Sequence, residues 1–349
     1  MKLKKTGFVK ITEQNHKLSI KYKFTDDKLR APDKKDKKIV KKISNFISNL
    51  NYDTKNYSGE WQYLNKFKRT TYLNSLFKND KKKLLSGFSN LFRKDCTYGM
   101  VTPSYQDLKN KKKIKSKILQ DIDASIEFSN LKYSNQINLN KNIGNPFGII
   151  MQNKVIMPDA PRHFYFANKI NYYAKKKNNF KLLEIGGGYG GLMAILSNFN
   201  KNITYYAIDL TESCFIQYYF LKKLGFKVNL INKIKDIKKK QINLILFEKD
   251  LKILKKIGKC DFVFNSRSFS EMSKDVLNKY INVINNYLKP SYILHENSNY
   301  SLFPKSIRHI EILGKDFIFN KKKYNLEYIN ISPFSGGSGR YREFFYKKI

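Results

Sequence analysis

The sequence is poor in arginine, cysteine and tryptophan, and it has no long hydrophobic run. Of its 68 basic residues only 8 are arginine, and its 349 residues include 3 cysteines and 1 tryptophan. The most apolar stretches, such as 242–247, are far shorter than the roughly 20 residues that cross a membrane. The N-terminus leads into no apolar segment typical of a signal peptide. The sequence therefore predicts a cytoplasmic protein without a membrane span, with reduced thiols and no zinc site built on cysteines.

The 68 basic and 28 acidic residues leave a net charge of +40, a common feature of nucleic-acid-binding proteins. Lysine accounts for all but 8 of the basic residues, and asparagine, isoleucine and tyrosine are also abundant. The codons of these residues are rich in A and T, so genome composition explains the lysine excess without a partner. Proteins that read phosphates and guanine edges favour arginine, whose planar fork makes two hydrogen bonds at once. We therefore expect no specific nucleic-acid partner, with a polyanion-binding surface as the alternative.

Apolar residues make up 41% of the chain, which is enough for a globular core, and a prior of about 150 residues per domain suggests two domains. Residues 1–140 are predicted to form a mainly helical, lysine-rich N-terminal module that begins with a strand over 16–24. Apolar residues recur there at three- and four-residue spacing, which predicts helices over 36–50, 60–78, 80–93 and 105–129. Residues 141–179 are predicted to be an ordered connector with a helix over 163–176.

From residue 180 to residue 349, short apolar segments alternate with amphipathic ones, a pattern typical of βαβ units on a parallel sheet. Strands are predicted over 181–185, 203–208, 227–231, 261–264 and 292–295, and helices over 190–199, 211–224 and 274–287. Residues 242–247 fit either an extra strand or the start of a helix. Two late segments, 315–320 and 341–347, are expected to form an antiparallel edge of the sheet.

The strongest local signal is a glycine-rich turn between a predicted strand and a predicted helix, Glu184-Ile-Gly-Gly-Gly-Tyr-Gly-Gly191. Its glycines allow a sharp turn and let a ligand approach without meeting a Cβ atom, while the following helix presents free amide groups. Asp209 ends the next strand, where a carboxylate can accept hydrogen bonds from two ribose hydroxyls. We therefore expect a nucleoside-containing cofactor, bound by Glu184, Gly186, Gly187, Gly188, Tyr189, Gly190, Asp209, Leu210 and Asn265.

Two classes of cofactor fit this turn. Gly186, Gly188 and Gly191 satisfy the dinucleotide pattern G-x-G-x-x-G with an acid about 20 residues further on. A carboxylate at Glu184 would repel a pyrophosphate, whereas it suits the sulfonium and ammonium groups of S-adenosylmethionine. The sequence therefore favours S-adenosylmethionine over a nicotinamide or flavin cofactor. A glycine turn that binds nothing is the third possibility.

Three segments carry a resemblance to a known family: 184–191, Tyr205-Tyr-Ala-Ile-Asp-Leu210 and Phe264-Asn-Ser-Arg-Ser-Phe-Ser-Glu-Met272. Together they resemble the sugar O-methyltransferases, a group within the class I methyltransferases, and the resemblance covers residues 145–349. The glycine turn is common to the superfamily, and the third segment is the more specific one. The resemblance implies a Rossmann-like α/β fold with a seven-stranded sheet, S-adenosylmethionine as the methyl donor and a sugar hydroxyl as the acceptor.

Polar residues follow two neighbouring predicted strands at their carboxyl ends, where ligands bind in open α/β sheets. Methyl transfer to a hydroxyl needs a base for the hydroxyl proton, and His295 is the first candidate and Glu271 the second. His295 could instead be a buried, hydrogen-bonded histidine. Glu271 could cap the helix that begins near Ser273 or pair with Arg267. A divalent metal that acidifies the hydroxyl is a further alternative, but no compact spacing of acids and histidines indicates one, so we predict no metal site.

The few arginines are informative because the chain otherwise uses lysine. Arg162, Arg267, Arg340 and Arg342 lie beside Gly- and Pro-rich or motif segments, where a forked donor holds a diol, a carboxylate or a phosphate better than lysine does. Chance placement and surface ion pairs are the alternatives. We expect the acceptor to be bound by Arg162, His163, Arg267, Ser268 and Asn297. The segment 335–339 is expected to be a turn or a loop that covers the substrate.

The sequence thus predicts a sugar O-methyltransferase of a glycan or nucleotide-sugar pathway, with the N-terminal module beside the acceptor. An RNA or DNA methyltransferase would use the +40 charge. However, Asn265-Ser-Arg-Ser stands where amino-methylating enzymes of that kind carry an Asp/Asn-Pro-Pro-aromatic tetrad. A nicotinamide-dependent oxidoreductase and a binding protein on a decayed methyltransferase fold are the remaining rivals.

Overall fold

The computed structural model of the protein describes residues 23–50, 59–107, 111–129, 139–140, 142–151, 153–246, 250–300, 312–335 and 339–349. The strand predicted over 16–24 lies outside these residues except for its last two positions. Within these ranges, every helix is too short or too polar to span a lipid bilayer.

The N-terminal part of the described chain is mainly helical. Its elements are β1 (Lys23–Phe24), α1 (Lys34–Ile47), α2 (Glu60–Phe67), α3 (Thr70–Phe77), α4 (Lys81–Ser89) and α5 (Lys111–Ser129). Helix α1 begins at a capping box in which Asp33 and Asp36 each accept a hydrogen bond from the other's backbone N–H. The helix predicted over 60–78 is in fact two helices, α2 and α3.

A small antiparallel sheet joins the N-terminal part to the segment that precedes the large sheet. Its further strands are β2 (Leu139–Asn140), β3 (Ile149–Met151) and β4 (Lys154–Ile156), and the strand order is β1-β3-β4-β2. Helix α6 (Ala160–Ala174) follows, with a proline in its first turn, where the missing N–H of proline costs no helical hydrogen bond.

The large sheet has eight strands in the order β11-β12-β10-β9-β5-β6-β8-β7. In chain order its elements are β5 (Phe180–Ile185), α7 (Gly191–Phe199), β6 (Ile203–Asp209), α8 (Thr211–Leu224), β7 (Val228–Ile231), β8 (Ile242–Leu246), α9 (Asp250–Ile257), β9 (Phe262–Ser266), α10 (Ser268–Glu271), α11 (Lys274–Val283), β10 (Tyr292–Ser298), β11 (Tyr324–Ile331) and β12 (Tyr341–Lys348). Strands β5 to β10 are parallel, and β12 pairs antiparallel with both β10 and β11. The Rossmann-like α/β fold is confirmed.

Two details of this sheet differ from the expectation. Residues 242–246 form a strand, β8, which pairs with β6 and places β7 at the edge, so the sheet has eight strands rather than seven. The antiparallel edge is formed by β11 and β12, and the strand expected over 315–320 is wrong. Phe317 and Phe319 are buried against a core on one face of the sheet, and that burial accounts for the apolar pattern that suggested a strand.

The strand order reverses beside β5, with β6 and β8 on one side and β9 and β10 on the other. In open α/β sheets this reversal opens a crevice at the carboxyl ends of the strands, and ligands bind in it. The glycine turn follows β5, and the segment 267–271 follows β9. Both lie at this crevice.

Helix α8 is buried on nearly all sides, as expected of a helix covered by packed layers on two faces. One face packs on the sheet, and the N-terminal helices cover another, with Phe88 of α4 stacked 5.0 Å from Tyr219. The Tyr219 hydroxyl donates a 2.7 Å hydrogen bond to Asp36 of α1. The N-terminal helices therefore form a third layer that extends to the rim of the crevice.

Candidate functional site

A cavity lies at the switch point and is partly open to solvent. Its walls come from the N-terminal layer, the start of α6, the glycine turn, the end of β6, the end of β9 with the segment that follows it, and the start of β12. The lining residues are Trp61, Gly99, Met100, Thr102, Arg162, His163, Phe166, Glu184, Gly186, Gly187, Gly188, Tyr189, Leu192, Asp209, Phe264, Ser266, Arg267, Ser268, Glu271 and Tyr341.

One end of the cavity, which we call the glycine end, is formed by Glu184, Gly186, Gly187, Gly188 and Asp209. The φ angles of Gly186 and Gly188 are +77° and +57°, a region that favours glycine. A Cβ atom on Gly186 would lie 2.2 Å from the hydroxyl of Ser268, whereas one on Gly188 would have its nearest neighbour, the carbonyl oxygen of Met100, at 4.0 Å. A ligand can therefore approach the backbone closely at Gly188.

Glu184 is the buried acid of the glycine end. Its carboxylate accepts a 2.7 Å hydrogen bond from the Tyr205 hydroxyl, and in the described part of the chain it forms no ion pair. Burial raises the pKa of Glu184 to about 8, because a charged carboxylate loses its hydration there.

Asp209 is the second acid of the glycine end. One carboxylate oxygen accepts hydrogen bonds from the backbone N–H of Gly188 at 3.1 Å and from the side-chain amide of Gln217 at 2.8 Å. The other oxygen accepts from the backbone N–H of Leu210. Burial raises the pKa of Asp209 to about 7, with the nearby charge of Glu212 adding to the rise. These bonds fix the carboxylate at the edge of the cavity.

The opposite end of the cavity, which we call the arginine end, is formed by Trp61, Arg162, Ser266, Arg267 and Glu271. Behind it lies Glu296, which is fully buried. Glu296 accepts a 2.7 Å hydrogen bond from Ser266 and forms ion pairs with Arg162 at 3.2 Å and Arg267 at 3.5 Å. Burial alone would raise the pKa of Glu296, but the charges of Arg267 and Arg162 hold it at about 2. Glu296 thus anchors both guanidinium groups at the cavity wall.

Arg267 is held in an unusual backbone conformation, with φ +69°, which non-glycine residues seldom adopt. Its backbone N–H donates to the carbonyl of Glu296 at 2.6 Å, and its guanidinium lies 4.1 Å from the ring centre of Tyr341. Strained residues of this kind concentrate at functional sites. In this conformation the partly buried guanidinium of Arg267 lies at the cavity wall.

Glu271 and His163 also line the cavity. The carboxylate of Glu271 accepts a 2.9 Å hydrogen bond from the indole N–H of Trp61. The ring nitrogen Nδ1 of His163 lies 3.3 Å from the hydroxyl of Tyr189. Burial lowers the pKa of His163 to about 3, so this imidazole is neutral at physiological pH.

The position of His295 does not agree with its expected role as the base. His295 is fully buried on the opposite face of the sheet from Glu296, and its ring stacks on Phe344 at 4.6 Å and lies 4.9 Å from Phe317. Burial lowers its pKa to about 3. Successive residues of a strand point to opposite faces, so His295 points into an aromatic core and its neighbour Glu296 points toward the arginine end.

Four other expected contacts are not among the residues that line the cavity. Asn297 and Asn265 bond each other at 2.8 Å, and Asn265 also donates to the carbonyl of Ile185, so these amides link the ends of β5, β9 and β10. Gly190 is the residue before α7. Leu210 reaches the site only through its backbone N–H, which Asp209 accepts. The structure gives none of these four side chains a place against a ligand in the cavity.

The remaining expected residues line the cavity: Glu184, Gly186, Gly187, Gly188, Tyr189, Asp209, Arg162, His163, Arg267, Ser268 and Glu271. Glu271 forms no cap on α11, because Ser273 is the N-cap there and no side-chain cap bond is present. The loop alternative for 335–339 falls mostly outside the described residues. Within the described chain, no group of three or more acids, histidines and cysteines is arranged to hold a metal ion.

Sequence reasoning missed the N-terminal contribution of Trp61, Met100 and Thr102. Trp61 stood in an amphipathic pattern that predicts only a buried helix face. One signal was available, since it is the only tryptophan in the sequence.

No protein-family model and no curated protein matches the chain. Among solved structures, the mitomycin 7-O-methyltransferase MmcR matches with a TM-score of 0.35 and 14% identity, over 55% of this chain and 58% of that chain. The small RNA methyltransferase HEN1 matches with a TM-score of 0.40 and 13% identity, over 58% and 27%. M. capricolum TrmK, solved with S-adenosyl-homocysteine, matches with a TM-score of 0.32 and 18% identity, over 52% and 67%.

The chain therefore spans less than two thirds of the length of the first two of these proteins. Scores and identities this low carry no function from any of the three to this chain. Its function has to be argued from its own site.

Proposed function

We propose that the protein is an S-adenosylmethionine-dependent O-methyltransferase and that its acceptor is a sugar hydroxyl. The observation that carries the cofactor is Glu184, a buried acid at the glycine end that forms no ion pair among the described residues and has a pKa of about 8. A cation beside this carboxylate would offset its desolvation. The sulfonium and ammonium groups of S-adenosylmethionine supply that cation, whereas a pyrophosphate would add to the repulsion.

The other residues of the glycine end also fit this cofactor. Asp209 faces the cavity from the end of β6 and can accept hydrogen bonds from ribose hydroxyls, and Gly188 leaves room for a ligand against the backbone. When bound, S-adenosylmethionine supplies an electrophilic methyl group and keeps the electron pair of the S–C bond that breaks. The chain's own contribution is to hold the cofactor at the glycine end and the acceptor at the arginine end of one cavity.

Glu271 takes the place of His295 as the proposed base. It lines the cavity, whereas His295 is buried in an aromatic core away from it. The carboxylate accepts the proton of the acceptor hydroxyl as the hydroxyl oxygen forms its bond to the methyl carbon. Arg162 and Arg267 hold the acceptor in place, since Glu296 fixes both guanidinium groups from behind.

A sugar acceptor is supported by the mixture of donors and acceptors at the arginine end. Ser266, Ser268 and the two guanidinium groups line this wall together with the carboxylate of Glu271. Neighbouring sugar hydroxyls both donate and accept hydrogen bonds, so they can satisfy such a mixed wall. The resemblance of 264–272 to the sugar O-methyltransferases points to the same class of acceptor.

Isothermal titration tests the cofactor first. S-adenosylmethionine and S-adenosylhomocysteine are expected to bind, and Asp209→Ala is expected to weaken binding by about 1–3 kcal/mol through lost charged hydrogen bonds. The exposed Asp275→Ala serves as the matched control and should bind normally. Tight binding of NAD with neither sulfur compound would overturn the assignment. Transfer of a labelled methyl group to a panel of free, nucleotide-linked and polymeric sugars then tests the acceptor.

An RNA acceptor is the second candidate, and the net charge of +40 favours it. Under the sugar proposal, nucleic acid should bind weakly and with a steep dependence on salt, as counterion release requires. Sequence-selective binding at physiological salt, together with methyl transfer to RNA, would show that the acceptor is RNA and would overturn the sugar proposal.

A further inference from the structure

Trp61 lies in a part of the chain where the sequence shows no chemical motif. It belongs to α2 in the N-terminal layer, it is the only tryptophan of the protein, and it lines the arginine end of the cavity. Its indole N–H donates a 2.9 Å hydrogen bond to Oε2 of Glu271, a residue 210 positions away in sequence. The single tryptophan therefore contacts the proposed base directly.

The backbone before Trp61 lies directly on the turn that carries Glu271. Gly59 has a φ angle of +73°, and a Cβ atom there would lie 1.9 Å from the carbonyl oxygen of Glu271. Only glycine permits both the conformation and this approach. The close contact places the start of α2 against the end of α10.

A buried ion pair holds the indole ring from its other side. The guanidinium of Arg69 lies 5.1 Å from the ring centre of Trp61, and Arg69 is fully buried and pairs with Glu212 at 3.5 Å. Asn65 adds a 2.9 Å hydrogen bond to the same carboxylate. Glu212 is in the first turn of α8, three residues after Asp209, so the support of Trp61 is anchored beside the glycine end.

We propose that Trp61 is a positioning residue that fixes the orientation of the Glu271 carboxylate toward the acceptor hydroxyl. The inference rests on the proposed function, in which Glu271 is the base. Glu271 is the last residue of a four-residue helix, and a charged hydrogen bond from a braced ring favours one rotamer of its carboxylate. The N-terminal layer thereby completes the acceptor site.

Trp61→Phe tests this role, because it keeps a ring and removes only the N–H donor. The loss of one hydrogen bond to a charged group is expected to lower kcat by about 10- to 100-fold. The KM for the acceptor and the affinity for S-adenosylmethionine should change little. Phe67→Leu, an exposed ring in the same helix, is the matched control and should retain full activity. A Trp61→Phe enzyme with wild-type kcat, or one that loses cofactor binding as strongly as turnover, would overturn the inference.

Tryptophan fluorescence gives a second readout that needs no turnover. Since the protein has one tryptophan, all of its tryptophan emission reports on this contact. Glu271→Gln should change the emission of the folded, cofactor-free protein, and the exposed Asp275→Asn should leave it unchanged. Identical spectra for all three proteins would show that the contact is absent and would overturn the inference. A protein that shows the spectral change but methylates no sugar would instead overturn the proposed function, and the catalytic part of this inference with it.

Discussion

The glycine end and the arginine end of the cavity are built in different ways. The glycine end comes from two consecutive strand-to-helix turns, and main-chain geometry dominates it, with positive φ angles at Gly186 and Gly188 and a backbone N–H bonded to Asp209. The arginine end gathers side chains from three distant segments, which contribute Trp61, Arg162 and residues of 266–271. Its groups are held by other side chains, above all by Glu296.

This difference explains what each end can do. Backbone geometry at a turn is set by a few adjacent residues, so it can bind a common cofactor in many proteins. Side chains from separate segments can differ between proteins that share a fold, so an acceptor site can change its specificity without altering the sheet. The five predictions below test this division, from the largest expected effect to the smallest.

Loss of Glu271, the proposed base at the arginine end, should have the largest effect. Glu271→Gln is expected to lower turnover by about 10²- to 10⁴-fold, the usual contribution of a positioned base. Affinity for S-adenosylmethionine should be unchanged, because the proposed cofactor contacts lie at the glycine end. Steady-state assays and isothermal titration measure the two quantities, with Asp275→Asn as the control. Full activity in Glu271→Gln would mean that another group, such as His163, takes the proton.

Glu296→Gln should give the next largest effect, on stability. The change removes the buried carboxylate that Arg162 and Arg267 share, and breaking a buried pair of this kind costs about 3–5 kcal/mol. Urea unfolding measures the loss, and the exposed Glu327→Gln is the control. A loss of unfolding free energy smaller than that of the control would contradict the anchoring role of Glu296.

The same residue predicts a pH dependence. The pKa of Glu296 falls from its ordinary 4.5 to about 2 on folding, so its stabilisation is fully present above the higher value. It is lost as the pH falls through about 2. The wild-type protein should therefore lose more stability than Glu296→Gln between these two pH values.

Protons should be released when the cofactor binds at the glycine end. Without a ligand, the pKa values of Glu184 and Asp209 are about 8 and about 7, and the binding form is the carboxylate. Affinity for S-adenosylmethionine should therefore rise with pH through this range, by up to about tenfold per pH unit for each group. Titrations in buffers of different ionisation enthalpy measure the protons directly. Asp209→Asn should release fewer of them, and an affinity independent of pH would contradict the assignment.

Much of the glycine end and of the sheet could be predicted from the sequence, because both depend on neighbours along the chain. Alternating apolar segments indicate the strands, and the order of Glu184, the glycines and Asp209 indicates the turn. Trp61 and Arg69 could not be placed in this way. Their roles depend on the packing of the N-terminal layer over α8, and an amphipathic helix does not state which surface will cover it. For the same reason, the sequence did not decide whether residues 242–247 form a strand, which they do as β8, or the start of a helix.

His295 shows that a correct strand can still yield a wrong residue. The strand β10 was predicted at the right place, but the period of two sends His295 and Glu296 to opposite faces. Only the position of the glycine turn and α6 shows that Glu296 faces the cavity. The sequence analysis assigned the role of the base to His295 because it is a histidine at a strand end. The buried Glu296 beside it is the residue that holds the two arginines.

The smallest effect on activity is expected for His295→Leu. The imidazole is buried among Phe317, Phe344 and other rings, and its Nε2 has no hydrogen-bond partner among the described residues. An aliphatic side chain of similar size fits such a core at a cost below about 1.5 kcal/mol of unfolding free energy, so turnover and cofactor affinity should match those of the wild type.

Folding lowers the pKa of His295 from 6.5 to about 3. Wild-type stability should therefore fall as the pH drops below the higher value, and the leucine variant should lose this part of the acid sensitivity. Steady-state assays and urea unfolding at two pH values measure both effects. A rate loss as large as that of Glu271→Gln would indicate that His295 accepts the hydroxyl proton. It would also mean that the aromatic core around His295 opens during turnover.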